Sequence, residues 1–222
     1  MVDVTVKGLF EKGHSIAWNL LERAVYPWEI LSDISDFILE KGRTLPKDEY
    51  ERIGDGIWVA KNAHIASNAC ISGPTIIDKG AEIRHCAYIR GAVIVGKGAV
   101  VGNSCELKNC ILFDEVQVPH FNYVGDSVLG YRSHMGAGAV TSNVKSDKTS
   151  VTVKNGEEHI ATGRKKVGAI FGDLVEIGCN SVLCPGSVIG RNSTVYPTSC
   201  VRGTVGADSI YKKDGAIVKK RI

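Results

Sequence analysis

The stretch that decides the fold runs from Ile53 to Leu107: IGDGIWVAKNAHIASNACISGPTIIDKGAEIRHCAYIRGAVIVGKGAVVGNSCEL. Every sixth residue in it is apolar: Ile53, Val59, Ile65, Ile71, Ile77, Ile83, Ile89, Val95, Val101 and Leu107. Four residues after each stands a mostly small or β-branched residue, as at Ile57, Ala63, Ala69, Ala99 and Ile111. A helix repeats its buried stripe every 3.6 residues and a half-buried strand every second residue. A period of six fits neither. It fits a chain in which one short flat strand and one turn make each repeat. The recurring apolar side chain then points into a narrow prism and stacks on its copies in the coils above and below. The sequence therefore predicts an all-β solenoid, a β-helix of hexapeptide repeats.

Working outward, the period slips by one residue after Leu107, to Leu112, Val118 and Val124, and again to Leu129 and Met135. A slip marks an irregular coil, and irregular coils tend to carry loops and function. From 144 to 168 the period is lost in a polar, basic excursion with an Asn155-Gly156 turn signal. It resumes as Phe171, Ile177, Leu183, Ile189, Val195 and Val201. Residues 52–205 thus form the repeat domain, and 206–222 a short basic tail. Residues 1–51 lack the period. Ser15 to Ala24 suits a short helix; a second has Pro27 as its first residue, Gly42 as its stop, and an apolar stripe of Ile30, Leu31, Ile34, Phe37 and Ile38. This helical segment is expected to cap the open end of the solenoid, which otherwise exposes unpaired strands.

The 222 residues suit one domain with an appendage, and 44% hydrophobic content suits a packed core. A net charge of +3 is too mild to argue for nucleic acid, yet it permits phosphates and coenzyme A. Seven cysteines, odd in number and without a CxxC, read as reduced packing thiols of a cytoplasmic protein. The first residues have no apolar signal region, and no stretch reaches the length of a membrane span.

The slipped coil reads VPHFNYVGDSVLGYRSHMGAGAVTSN, and GRKKVGAIFGD with VEIGCNSVLCPGSVIG follows. These stretches resemble the acetyltransferase domain of the bifunctional sugar-1-phosphate enzymes that make UDP-N-acetylglucosamine, the second pair being similar to the archaeal-type branch. The resemblance covers roughly residues 53–205. It implies a left-handed parallel β-helix, a homotrimer, and acetyl-CoA as co-substrate with no metal needed for acetyl transfer. It implies an acetyl-CoA-dependent N-acetyltransferase acting on an amino-sugar 1-phosphate, glucosamine- or galactosamine-1-phosphate. The chain resembles a short stand-alone form without the nucleotidyltransferase domain.

Residue by residue, His120 falls where the family keeps its general base. The chemistry needs one, because a sugar ammonium must lose a proton before its nitrogen attacks a thioester, and histidine titrates near neutral pH. Tyr123 would orient the substrate. Arg90 and Lys108, eighteen residues or one coil apart, match the holders of the sugar phosphate. Asn143 matches an asparagine near the acetyl group, and Lys148 resembles a substrate-binding lysine that can serve a neighbouring subunit. His134 stands where bacterial members carry an asparagine on the sugar. The Ala137 amide, within Gly136-Ala137-Gly138, matches a donor to the thioester carbonyl. Cys179 and Pro197 stand where small residues line the coenzyme groove. Val151 lies near an archaeal-type lysine position, and Lys219, Lys220 and Arg221 offer charges to a coenzyme phosphate.

Two alternatives remain. A γ-type carbonic anhydrase shares the fold but needs three histidines on zinc, and His85 and His120 have no third near position 125. A non-catalytic β-helix that binds sugar nucleotides or a nucleotidyltransferase partner is the reading from another class.

Overall fold

The computed structural model describes residues 1–221. The chain is a left-handed parallel β-helix of about 9 turns. Three faces recur in every coil. The first carries strands such as Tyr88–Ile89, Val140–Thr141, Val182–Leu183 and Cys200–Val201. The second carries Thr75–Ile77, Val93–Val95, Ala169–Phe171 and Ser187–Ile189. The third carries Glu82–Ile83, Val100–Asn103, Gln117–His120, His134–Met135 and Glu176–Ile177. Two longer strands, Glu106–Leu112 and Tyr123–Leu129, turn the corner from first face to second without a break.

The six-residue ladder is the core. Ile77, Ile83, Ile89, Val95, Val101 and Leu107 are buried, as are Phe171, Ile177, Leu183, Ile189, Val195 and Val201. Burying each such side chain contributes about 1.5–3 kcal/mol. The slips do not break this stack. Leu107 pairs with Val124 and Leu112 with Leu129, so the coil is one residue short and still in register. The corners need backbone in the left-handed region, and Asn109, Asp126, Asn180, Asn192 and Asp208 adopt it at φ between +48° and +56°. Asparagine and aspartate tolerate that conformation better than most residues.

The ladder starts later than its pattern suggests. Tyr50–Gly54 pairs antiparallel with Ile57–Ala60, outside the prism. Ile53 therefore stacks on nothing and is 51% exposed. At the other end Ile217–Lys219 pairs antiparallel with Ser209–Tyr211. An antiparallel strand thus covers each end of the coil.

The helical segment lies along the side of the prism and not over its end. It comprises Val6–Leu9, Trp18–Leu21, a 3₁₀ helix Pro27–Ser32 and an α-helix Ile34–Arg43. Pro27 starts its helix as expected, and Glu29 accepts the Val25 and Tyr26 amides at 2.9 and 3.1 Å. Gly42 is no stop signal. It lies inside the helix, where a Cβ would come within 2.3 Å of the Trp58 ring. The stripe Ile30, Leu31, Ile34 and Ile38 packs on the second face. That face has an outward apolar row of its own, Ile76, Ile94, Ile111 and Val128, buried by this cover.

The excursion is a hairpin, Thr152–Asn155 with Glu158–Ala161; its turn is Gly156-Glu157, one residue later than the Asn155-Gly156 signal, with Asn155 the last residue of the strand. It does not hang free as a loop in search of a partner. Val151 and Val153 are buried, and Asn155 Oδ1 accepts the Val2 amide at 2.9 Å. All seven thiols are free; Cys105, Cys110 and Cys184 are buried, but Cys70, Cys86, Cys179 and Cys200 are exposed, so packing does not explain the whole set. No helix among the described residues is long and apolar enough to cross a membrane.

Leu107→Ala should destabilise the fold by about 2–5 kcal/mol, the usual cost of emptying a packed site. Ile53→Ala, at the same phase of the repeat, should change it by no more than about 0.5 kcal/mol. Urea unfolding of the two variants checks the pair, and equal losses would mean that Ile53 belongs to the core.

Candidate functional site

The corner between the third and first faces gathers one group of the residues picked from sequence. Amide-to-carbonyl bonds run down it: Ser104 to His85, Phe121 to Asn103, Gly138 to His120, Asn180 to Ala137, and Thr198 to Cys179. His85, Asn103, His120, Ala137, Cys179 and Pro197 therefore stand one above another, one per coil. Neighbouring strands lie about 4.8 Å apart, so His120 and Pro197 are separated by roughly 14 Å. The Ala137 amide N–H, within this corner, has no acceptor among the described residues.

Two residues that sequence reasoning passed over shape the corner. Asn122 is buried; its amide donates to the Gly136 and Ala139 carbonyls at 2.9 and 3.1 Å, and its Oδ1 accepts the His120 amide at 3.1 Å. It ties the His120 coil to the Ala137 coil. Phe121 holds φ at +52° and is 61% exposed. Cys86, Ser104, Asn180 and Thr198 take the same conformation at this corner in other coils, so the backbone belongs to the repeat, and the exposed ring is what Phe121 adds.

A second group meets on the adjoining first face. Tyr123 lies across Gly125, where even a Cβ would come within 2.4 Å of the phenol oxygen. The Asn143 amide donates to that oxygen at 3.2 Å and to Asp126 Oδ2 at 2.5 Å. Lys108 Nζ stands 3.6 Å from Asp126 Oδ2, and the Asn109 amide donates to Oδ1 at 2.9 Å. Buried Asp126 thus joins Lys108, Tyr123 and Asn143, although nothing in the sequence reading named it. Its signal was present: Asn109, Asp126 and Asn143 recur at the length of one slipped coil. Burial, and then the Asp126 charge, push the Tyr123 phenol above its ordinary range, so it stays a neutral hydrogen-bonding group.

Arg90 occupies the same column as Lys108, one coil earlier, as their spacing implied. Its guanidinium donates to Glu106 Oε1 at 2.8 Å, an exposed pair of little energetic weight that a phosphate can displace.

The remaining candidates are not drawn into these groups. His134 lies on the third face three residues before Ala137, with Nδ1 2.9 Å from Glu176 Oε2, in a cavity of about 370 Å³ shared with Glu115, Gln117 and Arg132. Lys148 holds φ at +59° in the loop before the hairpin, and no bond ties its ammonium to the Asp126 group among the described residues. Val151 is buried at the foot of the hairpin. Lys219 and Lys220 do not approach the His120 corner: they bond to the Ala207 carbonyl at 2.8 Å and Asn192 Oδ1 at 3.3 Å, at the corner between second and third faces.

Comparison with known proteins adds the lineage. The family model of the GMPPB C-terminal domain matches residues 71–205. The bifunctional protein GlmU of Methanocaldococcus jannaschii is 34% identical over 97% of this chain and 52% of its own length. The bifunctional sugar-1-phosphate nucleotidylyltransferase/acetyltransferase of Sulfurisphaera tokodaii is 35% identical over 50% of this chain and 28% of its own. The chain thus spans about half of the first relative and less than a third of the second. Among solved structures, the acetyltransferase domain of PglB from Neisseria gonorrhoeae aligns over 71% of this chain and 55% of its own, at 12% identity and a TM-score of 0.34.

Proposed function

The chain belongs to the GMPPB C-terminal domain family, and from that premise we propose that it is a cytoplasmic, acetyl-CoA-dependent N-acetyltransferase acting on an amino-sugar 1-phosphate. The observation that carries the proposal is the adjacency of two built groups. The His120 corner offers a base and, one coil away, an amide N–H without an acceptor. The Asp126 group offers a cation, a neutral phenol and an amide side by side.

Coenzyme A runs along the corner past Ala137, Cys179 and Pro197, with its thioester beside His120. The sugar lies on the first face, its phosphate on Arg90 and Lys108 and its ring against Tyr123. His134, turned on the third face toward Glu176, Glu115 and Arg132, lies apart from these two groups, and Lys148 serves a neighbouring subunit's site. His120 removes a proton from the substrate ammonium. The freed nitrogen attacks the thioester carbon and a C–N bond forms; as the C–S bond breaks, the nitrogen sheds its second proton, which the leaving thiolate takes up. The Ala137 N–H donates to the carbonyl oxygen as negative charge grows there, and Asn143 holds the acceptor beside it.

One observation favours the non-catalytic reading: Arg90 and Lys108 already face carboxylates, Glu106 and Asp126. Thiol release decides between the two. The wild type should release free thiol from acetyl-CoA with glucosamine-1-phosphate or galactosamine-1-phosphate. His120→Ala should slow this by roughly 10²–10⁴-fold, with its unfolding midpoint unchanged. If no amino-sugar phosphate elicits thiol release, the protein is a binding subunit.

The same reading makes the protein a homotrimer. Helices and hairpin cover the second face, leaving the first and third open where they meet at His120. Exposed apolar residues Tyr88, Phe121, Val182 and Tyr196 stand on or beside those two faces. Light scattering should give three times the chain mass at micromolar concentration; a clean monomer would remove the shared-site role of Lys148.

A further inference from the structure

The hairpin creates a second basic site that the acetyl-transfer chemistry does not use. Its strands stand over the corner that follows the first face, at Gly186 and Gly203. A Cβ at Gly186 would come within 2.8 Å of Val151 Cγ1, and one at Gly203 within 3.0 Å of the Lys154 carbonyl oxygen. Both glycines hold positive φ, +78° and +82°, so the corner there is bare backbone onto which the hairpin closes. Asn155, bonded to both backbone groups of Val2 and to Thr204 Oγ1, holds the hairpin in place.

Between hairpin and prism lies a cleft of about 280 Å³, lined by Lys145, Lys154, His159 and Arg202 together with Thr152 and Cys184. No carboxylate lines it. Lys154 and His159 are cross-strand neighbours in the hairpin ladder. Arg202 stands on the first face, in the column that runs from Lys108 through Ser142 and Cys184. The side chains of Lys154, His159 and Arg202 make no hydrogen bond or ion pair among the described residues. Lys145 turns to Thr149 and Asp147 in its own loop.

The contrast with the acceptor group is the informative point. There, each cation has a carboxylate facing it. Here, Lys154 on the braced hairpin and Arg202 on the prism face no acid in the lining, and Lys145 at the edge is shared with Asp147 of its own loop. Cations gathered without counter-charge repel one another, and an anion with several oxygens relieves that repulsion. Lys108 and Arg202 are four coils apart, roughly 19 Å. One phosphate cannot touch both, so the cleft is a separate site.

We propose that the cleft formed by Lys145, Lys154, His159 and Arg202 binds a diphosphate-bearing ligand. Arg202 forks onto one phosphate, while Lys154 and Lys145 act on the other as point charges. The diphosphate belongs either to a nucleoside-diphosphate sugar or to a coenzyme nucleotide, and both present the same chemistry to these side chains.

The test is a calorimetric titration of the full chain with inorganic pyrophosphate, which needs no acetyl transfer and so stands apart from the catalytic reading. The wild type should bind it saturably with a dissociation constant below about 1 mM. Arg202→Gln and Lys154→Gln should each weaken binding about 10- to 100-fold, while Lys108→Gln should leave it unchanged. Competition then identifies the source. Displacement by uridine or guanosine diphosphate, but not by 3′,5′-ADP, supports a sugar nucleotide; the reverse supports the coenzyme. Absence of saturable binding would overturn the proposal. So would binding indifferent to Arg202 and Lys154, or binding lost in Lys108→Gln.

Discussion

Everything in this molecule depends on the stacking of one inward apolar side chain per face, coil upon coil. Ile89, Leu107 and Val124 touch only if the coils stay in register, and the register fixes the corners. Residues a full coil apart in sequence are then held about 4.8 Å apart in space. A linear spacing becomes a vertical column. That conversion aligns His120 with Ala137 and Arg90 with Lys108, on backbone held by the ladder and not by mobile loops. The one-residue shortening of the slipped coils leaves the core intact, and it aligns the turn residues Asn109, Asp126 and Asn143 into the column on which the polar group is built.

The fold was legible because a period of six has few physical solutions. The position of the helical segment was also written in the chain, though less openly. On the second face the residue before the core position is a branched aliphatic in coil after coil, Ile76, Ile94, Ile111, Val128, Ile170 and Val188, until Thr204 ends the row. On the third face the same position holds His64, Glu82, Gln117, His134 and Glu176, with Val100 the exception. A doubled apolar row marks a face that another element covers, so the helices belong along the side of the prism. The misplacement of Ile53 has a different cause. An antiparallel partner strand can match the phase of a solenoid by chance, and only pairing direction tells the two apart.

The site was legible where residues carry charge or rings, and illegible where they act through hydrogen bonds inside a corner. His120, Tyr123, Lys108 and Arg90 stand out by type and spacing. Asp126 and Asn122 look like ordinary turn residues, since every corner of such a helix favours them. What distinguishes them is burial together with satisfied side-chain bonding, a property of the folded corner alone. The cationic cleft was invisible for a related reason: it joins a hairpin to a column more than forty residues away in sequence, and no local pattern announces that contact.

The account stands most directly on coenzyme A occupying the His120 corner, and Cys179 provides a probe inside it. Its thiol is free and exposed, two coils along the column from His120; Cys70, also free and exposed, lies on the first face near the start of the prism. The measurement is the alkylation rate of each cysteine, followed by mass spectrometry with and without saturating acetyl-CoA. The account predicts that acetyl-CoA slows modification of Cys179 and leaves Cys70 unchanged. Equal rates at Cys179 with and without acetyl-CoA would contradict it.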